Sequence, residues 1–172
     1  MSGDDSTASA RRLALLRHAK AEHPEHSSDA ERALTDRGLA DAIAVGNWLM
    51  AQQLVPDMVL CSPARRARET WKTASTIFGD AAAGVTTVYE PRLYAAEADD
   101  LVELLTDTDP AVRVLLLVGH NPTLSMLSAL LDPTAPTVGL RTSGLAVHRV
   151  PDDWSECAPG RVPLTATHTA RA

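Results

Sequence analysis

Basic and nucleophilic side chains follow two apolar runs of this sequence, at the point where each run ends. Arg17 and His18 come directly after residues 13–16, and His120 follows residues 112–118 after a single glycine. An imidazole nitrogen is a competent nucleophile near neutral pH, and a guanidinium group binds anionic oxygens. The pattern indicates chemistry on an anion, although for the first run alone solvated basic residues at a strand end explain it equally well.

A third apolar run, residues 58–61, is followed by Ser62 and leads into a segment that contains Arg65, Arg66 and Arg68. Pro63 suits the first position of a helix, and Pro122 follows the second histidine in the same way. Helix N-termini add partial positive charge and free N–H donors. Together with the arginines and histidines they describe a pocket for a phosphate dianion.

In such a pocket each side chain has a predicted role. His18 is the nucleophile that attacks phosphorus, because histidine is among the side chains that form covalent intermediates. Arg17 and one or more arginines of the segment after Ser62 neutralise the equatorial oxygens, which carry the charge of the transition state. His120 lies opposite and donates to a phosphoryl oxygen. Because arginine supplies the countercharge, we expect no metal ion and no other cofactor.

Further polar side chains lie close to these residues in the sequence. Lys20 and Asn121 are candidate substrate-binding residues, although simple solvation explains Lys20 equally well. His23 and His26 alternate with glutamates in a loop that has no fixed ligand geometry. Solvated residues at the pocket mouth are therefore favoured over a metal site.

The elements that must position these side chains alternate between strand and helix patterns. The apolar runs and residues 85–89 predict strands, and residues 144–150 and 162–167 predict two closing strands. Four helices are predicted. The first begins after a cap at Thr35 or Asp36, and the second covers residues 64–78. The third covers residues 99–106 with Asp99 or a neighbour as its cap, and the fourth follows Pro122. Such alternation predicts an α/β fold with a mostly parallel sheet. Ligands bind at the carboxyl edge of such sheets, where the three basic strand ends would meet.

Two loop features are relevant to this edge. Trp154 lies in a loop and is predicted to shape the rim of the pocket. Residues 132–143 are rich in proline, threonine and glycine, and whether they close over the pocket is left open by the sequence.

Composition limits the classes of function. A length of 172 residues favours one domain, over residues 11–172, after a small polar tail, residues 1–10, that we expect to be disordered. The net charge of −6 argues against a nucleic-acid partner. No apolar stretch approaches the roughly 20 residues of a membrane span, and the apolar run after Arg11 and Arg12 is too short for an export signal. We expect a cytoplasmic protein without a membrane partner.

Four motifs occur in order along the chain: LLRHAKAE at residues 15–22, LTDRG at 34–38, SPARRARET at 62–70 and VGHNP at 118–122. In this order they resemble the histidine phosphatase superfamily, and within it the SixA-like phosphohistidine phosphatases. The resemblance implies a three-layer α/β/α sandwich with a mostly parallel central sheet, a phosphoglycerate mutase-like fold. It also implies a phosphorylated His18 intermediate, with Arg17, Arg66 and His120 around the phosphoryl group. The substrate would be a phosphorylated protein or a small phosphorylated metabolite.

One position departs from the superfamily pattern. Phosphomonoesterases and mutases of the superfamily carry an acidic residue after the third strand as general acid, whereas Ala95 stands here. The sequence leaves open whether Glu97 or Asp99 replaces it. Because an imidazole leaving group needs protonation less than an alkoxide does, the missing acid favours a phosphoramidate such as phosphohistidine. The alternatives are a sugar or nucleotide phosphomonoesterase and a non-catalytic phosphate-binding module.

Overall fold

The computed structural model describes residues 10–136 and 139–172. The tail expected to be disordered, residues 1–10, lies outside the described residues except for Ala10. The described part contains six strands: β1 Arg11–Arg17, β2 Met58–Cys61, β3 Thr86–Tyr89, β4 Val114–Gly119, β5 Gly144–Val150 and β6 Leu164–Thr169. Its α-helices are α1 Asp36–Ala51, α2 Arg65–Ser75, α3 Arg92–Ala95, α4 Ala98–Thr106 and α5 Thr123–Leu131.

The strands form one sheet in the order β3-β2-β4-β1-β5-β6. β3, β2, β4 and β1 run parallel, whereas β5 is antiparallel to both β1 and β6. The prediction of an α/β fold with a mostly parallel sheet is confirmed. β4 is buried along its whole length, as expected for a continuous apolar run covered by helices on both faces.

Helices cover both faces of the sheet, which gives three layers. Leu13 and Leu15 of β1 pack into one core with α4 and α5. Ala14 and Leu16, which point to the opposite face because strand side chains alternate, pack with α1 and α2. The α/β/α sandwich that the family resemblance implies is therefore present.

The helix boundaries follow local chemistry, with two corrections. Thr35 caps α1 and its hydroxyl oxygen accepts the N–H of Gly38 at 3.0 Å, as predicted. The helix predicted over residues 64–78 ends earlier, at Ser75, and continues as 3₁₀ turns over Thr76–Gly84 that are interrupted at Gly79, where φ is +54°. The cap of α4 is Glu97 rather than Asp99, because the helix begins at Ala98. Glu97 and Asp100 form a capping box, in which the carboxylate of Asp100 accepts the N–H of Glu97 at 3.1 Å.

Trp154 does not lie at the rim of the pocket. It is fully buried in the core shared with α4 and α5, and its indole N–H donates to the carbonyl oxygen of Val112 at 2.8 Å. Val112 precedes β4 at the amino edge of the parallel strands, opposite to the edge where the histidines lie. Within the described ranges, no helix is long and apolar enough to cross a bilayer.

Candidate active site

The carboxyl ends of three adjacent parallel strands reach the same level of the sheet. β1 ends opposite the last residue of β4, and β2 ends one residue short of that level. His18, Ser62 and His120 are the first residues past these three ends. The topology thus brings together residues from three separate motifs of the sequence.

His18 is almost fully buried, and both ring nitrogens have partners. Nδ1 lies 2.7 Å from the carbonyl oxygen of Ala19 and donates to it, so Nε2 of the neutral ring carries no proton. The Nε–H of Arg66 donates to this Nε2 at 3.3 Å. Burial is the main cause that lowers the pKa of His18 to about 4; the contact with Ala19 opposes it, and the charges of Arg66 and Arg17 add to it. The nitrogen that faces Arg66 therefore carries no proton at neutral pH.

His120 lies beside His18, with the two ring centroids 5.2 Å apart. Its Nε2 is 2.7 Å from Oγ of Ser62, and that oxygen accepts the N–H of Ala64 at 3.2 Å. The hydroxyl proton is then free to go to Nε2, which leaves the ring proton on Nδ1. Nδ1 is buried and has no hydrogen-bond partner in the described part of the chain. It is therefore a donor available to an anion. Burial, followed by the interaction with His18, lowers the pKa of His120 to about 3.

Two guanidinium groups border the same space. Arg66 is buried, with 6% of its surface exposed. Arg17 donates through Nη1 to the carbonyl oxygen of Leu140 at 3.1 Å, while its Nε is buried and unpartnered among the residues described. Burial, and then the charge of Arg66, lowers the pKa of Arg17. An anion between the two groups would offset their repulsion and accept from the free donors.

A carboxylate from the loop between β1 and α1 lies against Arg66. Arg66 donates through Nη1 to the carbonyl oxygen of Asp29 at 2.7 Å and through Nη2 to its Oδ2 at 3.0 Å. The hydroxyl of Tyr94 donates to the same Oδ2 at 2.6 Å, and Nη1 of Arg32 donates to Oδ1 at 3.1 Å. The ring of Tyr94 also meets His120 edge-on, with the centroids 5.4 Å apart. Asp29 and Tyr94 are residues that the sequence analysis missed.

The two predicted substrate-binding residues lie at the border of this group. The side chain of Lys20 is exposed, and its carbonyl oxygen accepts the N–H of Thr35 at 2.9 Å. Asn121 donates to the carbonyl oxygen of Leu140 at 2.5 Å and accepts from the hydroxyl of Ser125 at 2.7 Å. Asn121 therefore joins the start of α5 to the loop before β5. A role of either residue in binding substrate stays a prediction.

Both histidines of the β1–α1 loop, His23 and His26, are exposed. Nε2 of His23 lies 3.2 Å from Nη2 of Arg32. Among the residues that the structure describes, no group of three His, Cys, Asp or Glu side chains is arranged to hold a metal ion.

Comparison with known proteins identifies the family. Residues 13–108 match the family model described as histidine phosphatase superfamily (branch 1). The chain belongs to the histidine phosphatase superfamily. A curated relative, the uncharacterised protein Rv1276c of Mycobacterium tuberculosis, is 37% identical over 165 residues, which cover 91% of this chain and all of the relative.

Solved structures of SixA proteins share the fold of this histidine phosphatase. A candidate SixA phosphohistidine phosphatase from Nakamurella multipartitia superposes with a TM-score of 0.82 at 26% identity, over 95% of this chain and 98% of that one. The protein histidine phosphatase SixA in complex with tungstate has a TM-score of 0.76 at 23% identity, over 92% of this chain and 96% of that one. The chain is SixA-like within its superfamily.

The segment after β3 in this histidine phosphatase carries no acid at the expected position. Ala95 ends the short helix α3 and is exposed. Glu97 and Asp99 are exposed at the start of α4, and neither is hydrogen-bonded to His18, Arg66 or His120 in the described ranges. Among these three residues, it is Arg66 that contacts a carboxylate, that of Asp29.

Thr70 connects Arg66 to the backbone that follows His18. The sequence analysis did not predict this role. The buried hydroxyl of Thr70 donates to the carbonyl oxygen of Arg66 at 2.7 Å and accepts the N–H of Ala19 at 3.0 Å. This contact fixes α2, which carries Arg66, against the backbone that follows His18. Thr70 belongs to the SPARRARET motif, so its position in that motif is the signal that could have indicated it.

Proposed function

We propose that this protein is a phosphatase that works through a phosphorylated His18 and that its substrate is phosphohistidine in a protein. The observation that carries the proposal is the unprotonated Nε2 of His18, which lies 3.3 Å from Nε of Arg66. A nucleophile beside a fixed guanidinium suits attack on a phosphoryl group, because charge on the equatorial oxygens is neutralised where it develops.

The reaction proceeds in two steps. Nε2 of His18 attacks phosphorus, a bond from His18 to phosphorus forms, and the bond from phosphorus to the leaving group breaks with its electron pair going to the leaving group. Water then attacks phosphorus, the bond to Nε2 breaks, and phosphate leaves. A leaving group that carries no proton gains one proton of water over the full cycle. An imidazole whose other nitrogen is already protonated keeps that proton, and both protons of water end on phosphate or in the solvent. His18 returns to its neutral state.

Three donors surround the transferred group in this mechanism. Arg66 and Arg17 supply charge, and Nδ1 of His120 supplies a hydrogen bond that Ser62 directs by occupying Nε2. A SixA protein of the same fold forms a complex with tungstate, and this supports a phosphate-like ligand for this chain, since tungstate has the shape and charge of phosphate.

Ala95 supports a phosphoramidate over an ester as substrate. An alkoxide leaving group needs a proton from an acid, whereas imidazole departs as a stable neutral molecule when its other nitrogen is protonated. A small-molecule phosphomonoesterase is the second candidate, and it is the one expected if hydrolysis of metabolites exceeds that of phosphohistidine. A cytoplasmic location stays a prediction.

Hydrolysis of p-nitrophenyl phosphate in the presence of EDTA tests the catalytic part. We expect turnover, a radioactive phosphoenzyme when labelled substrate is quenched rapidly at alkaline pH, and loss of both in His18→Ala by roughly 10³-fold or more in kcat. His26→Ala, which removes an exposed histidine from the neighbouring loop, is the control and should keep both. Turnover that survives His18→Ala would contradict the mechanism, and phosphate binding without hydrolysis of any substrate would favour a non-catalytic module.

Rates on different substrates test the substrate class. A histidine-containing protein phosphorylated with phosphoramidate is compared with a panel of sugar and nucleotide phosphates, at equal enzyme concentration. We expect the larger kcat/KM for the phosphohistidine protein. A larger kcat/KM for one of the metabolites would replace the proposed substrate by that class.

A further inference from the structure

Asp29 and the proposed nucleophile His18 are hydrogen-bonded to the same guanidinium group, that of Arg66. Nε of Arg66 faces His18, and the Nη1 and Nη2 atoms of the same guanidinium hold Asp29. The position of Asp29 does not depend on Arg66 alone. The loop that carries it is closed by a bridge between Ala21 and Leu34, and the N–H of Leu34 donates to Glu69 of α2 at 2.8 Å.

The carboxylate of Asp29 has acceptor capacity to spare. It accepts from Arg32 at Oδ1 and from Arg66 and Tyr94 at Oδ2, whereas an ionised carboxylate offers about four acceptor positions. Its side chain is 54% exposed. The hydrogen bond from Tyr94, followed by those from Arg32 and Arg66, holds the pKa of Asp29 well below its usual range. Asp29 is therefore an ionised acceptor, not a proton donor, near neutral pH.

Phosphohistidine needs such an acceptor. One nitrogen of its ring, the near nitrogen, is bonded to phosphorus, and the other is the far nitrogen. When the far nitrogen is protonated, cleavage of the phosphorus–nitrogen bond returns the electron pair to the near nitrogen. Neutral imidazole then departs with its proton on the far nitrogen. A carboxylate that accepts the far N–H stabilises this protonated, reactive form. An alkyl phosphate has no N–H at that position, and its alkoxide needs a proton that an ionised Asp29 does not supply.

We propose that Asp29 selects phosphohistidine by accepting the far N–H of the departing imidazole, a role that rests on the proposed phosphohistidine phosphatase activity. The superfamily's general acid is missing at position 95, where this chain has Ala95. Asp29 offsets its absence for leaving groups that carry an N–H, and not for alkoxides. Tyr94 and Arg32 are positioning residues, because their hydrogen bonds aim the carboxylate rather than contact the substrate.

The test compares Asp29→Asn with the wild-type protein on two substrates. One is a phosphohistidine peptide, whose leaving group keeps an N–H, and the other is p-nitrophenyl phosphate, whose leaving group is an anion without one. We expect kcat/KM for the peptide to fall by roughly tenfold or more beyond any loss on p-nitrophenyl phosphate, the size expected for a hydrogen bond to a charged group. Glu31→Gln removes a charge two residues away in the same turn and should leave the ratio of the two rates unchanged.

The pH profile separates this role from one of holding Arg66 in place. A carboxylate raises the pKa of the bound imidazole, and kcat reports the ionisations of the enzyme–substrate complex. The alkaline limb of kcat for the peptide should therefore move to lower pH in Asp29→Asn, and Asp29→Glu should restore part of it. Equal losses on both substrates with no shift of the limb would overturn the inference and leave the phosphatase proposal intact. Wild-type protein that hydrolyses p-nitrophenyl phosphate and not the peptide would overturn the proposed substrate and this inference with it.

Discussion

The hydroxyl of Ser62 lies 2.7 Å from Nε2 of His120, and this contact determines which nitrogen of that ring donates to the pocket. Ser62 has its own oxygen fixed by the N–H of Ala64, so its proton is directed to the ring. His120 then offers Nδ1–H on the side where no described residue accepts it. The serine that follows β2 thus sets the tautomer of the histidine that follows β4.

Replacing Ser62 by alanine should lower kcat clearly while changing the thermal midpoint little. Without the hydroxyl, the proton of His120 is free to move to Nε2, and the donor to the phosphoryl group is lost part of the time. We expect kcat for p-nitrophenyl phosphate to fall by about tenfold, measured together with the thermal midpoint. Ser75→Ala, at the half-buried last residue of α2, is the control, and a Ser62→Ala enzyme with normal kcat would show that the tautomer does not matter.

The protonation of His18 should set the acid limb of activity. Because burial lowers the pKa of His18 to about 4, the nucleophile is neutral at pH 6 and loses activity only as pH falls toward 4. We expect kcat/KM for p-nitrophenyl phosphate, corrected for ionisation of the substrate, to show an acid limb well below the ordinary histidine pKa of ~6.5. A limb that stays near 6.5 would contradict the buried, neutral His18, and His26→Ala should leave the limb where it is.

The strands were predictable because their signal is local. Met58–Cys61 is an apolar run enclosed by a proline-aspartate pair and a serine-proline pair, and the strand has these bounds in the structure. The parallel arrangement then followed from alternation with helices, and it brought His18 and His120 to one edge. These features required no knowledge of which side chains touch.

The role of Asp29 was not predictable, because its signal is not local. Asp29 lies in a polar loop without periodicity, and its partners Arg66 and Tyr94 are 37 and 65 residues away in the chain. The wrong placement of Trp154 has the same origin. Its short 3₁₀ turn resembles surface loop in sequence, whereas its indole is paired with a carbonyl group 42 residues earlier.

Folding stability should fall as the solution is acidified below neutrality. His18, His120 and His148 are kept neutral by burial, and the pKa of each is lowered. The unfolded chain binds protons on these rings near pH 6.5 and the folded chain binds them only at lower pH, so stability is fully present above pH 6.5 and is lost as pH falls toward the lowered pKa values. Each ring contributes a slope of up to roughly 1.4 kcal/mol per pH unit in this window.

Urea unfolding at several pH values between 4 and 7 measures this slope. His120→Gln should reduce it, since one buried neutral ring is removed, and His26→Ala should not. A free energy of unfolding that does not change between pH 4 and 6.5 in the wild-type protein would show that these rings are accessible to protons in the folded state.

Gly38 should be intolerant of any side chain, because a Cβ there would overlap the carbonyl oxygen of Lys20. Gly38 lies in the first turn of α1, so the overlap would push this helix away from the backbone that follows His18. We expect Gly38→Ala to lower the free energy of unfolding by about 1–3 kcal/mol and the thermal midpoint by several degrees. Activity should fall as well, since Lys20 is two residues from the nucleophile.

Gly84→Ala is the matched control, because a Cβ at Gly84 would meet no atom within 4 Å. Equal thermal midpoints for the two variants would mean that α1 does not pack against this loop as closely as the structure has it.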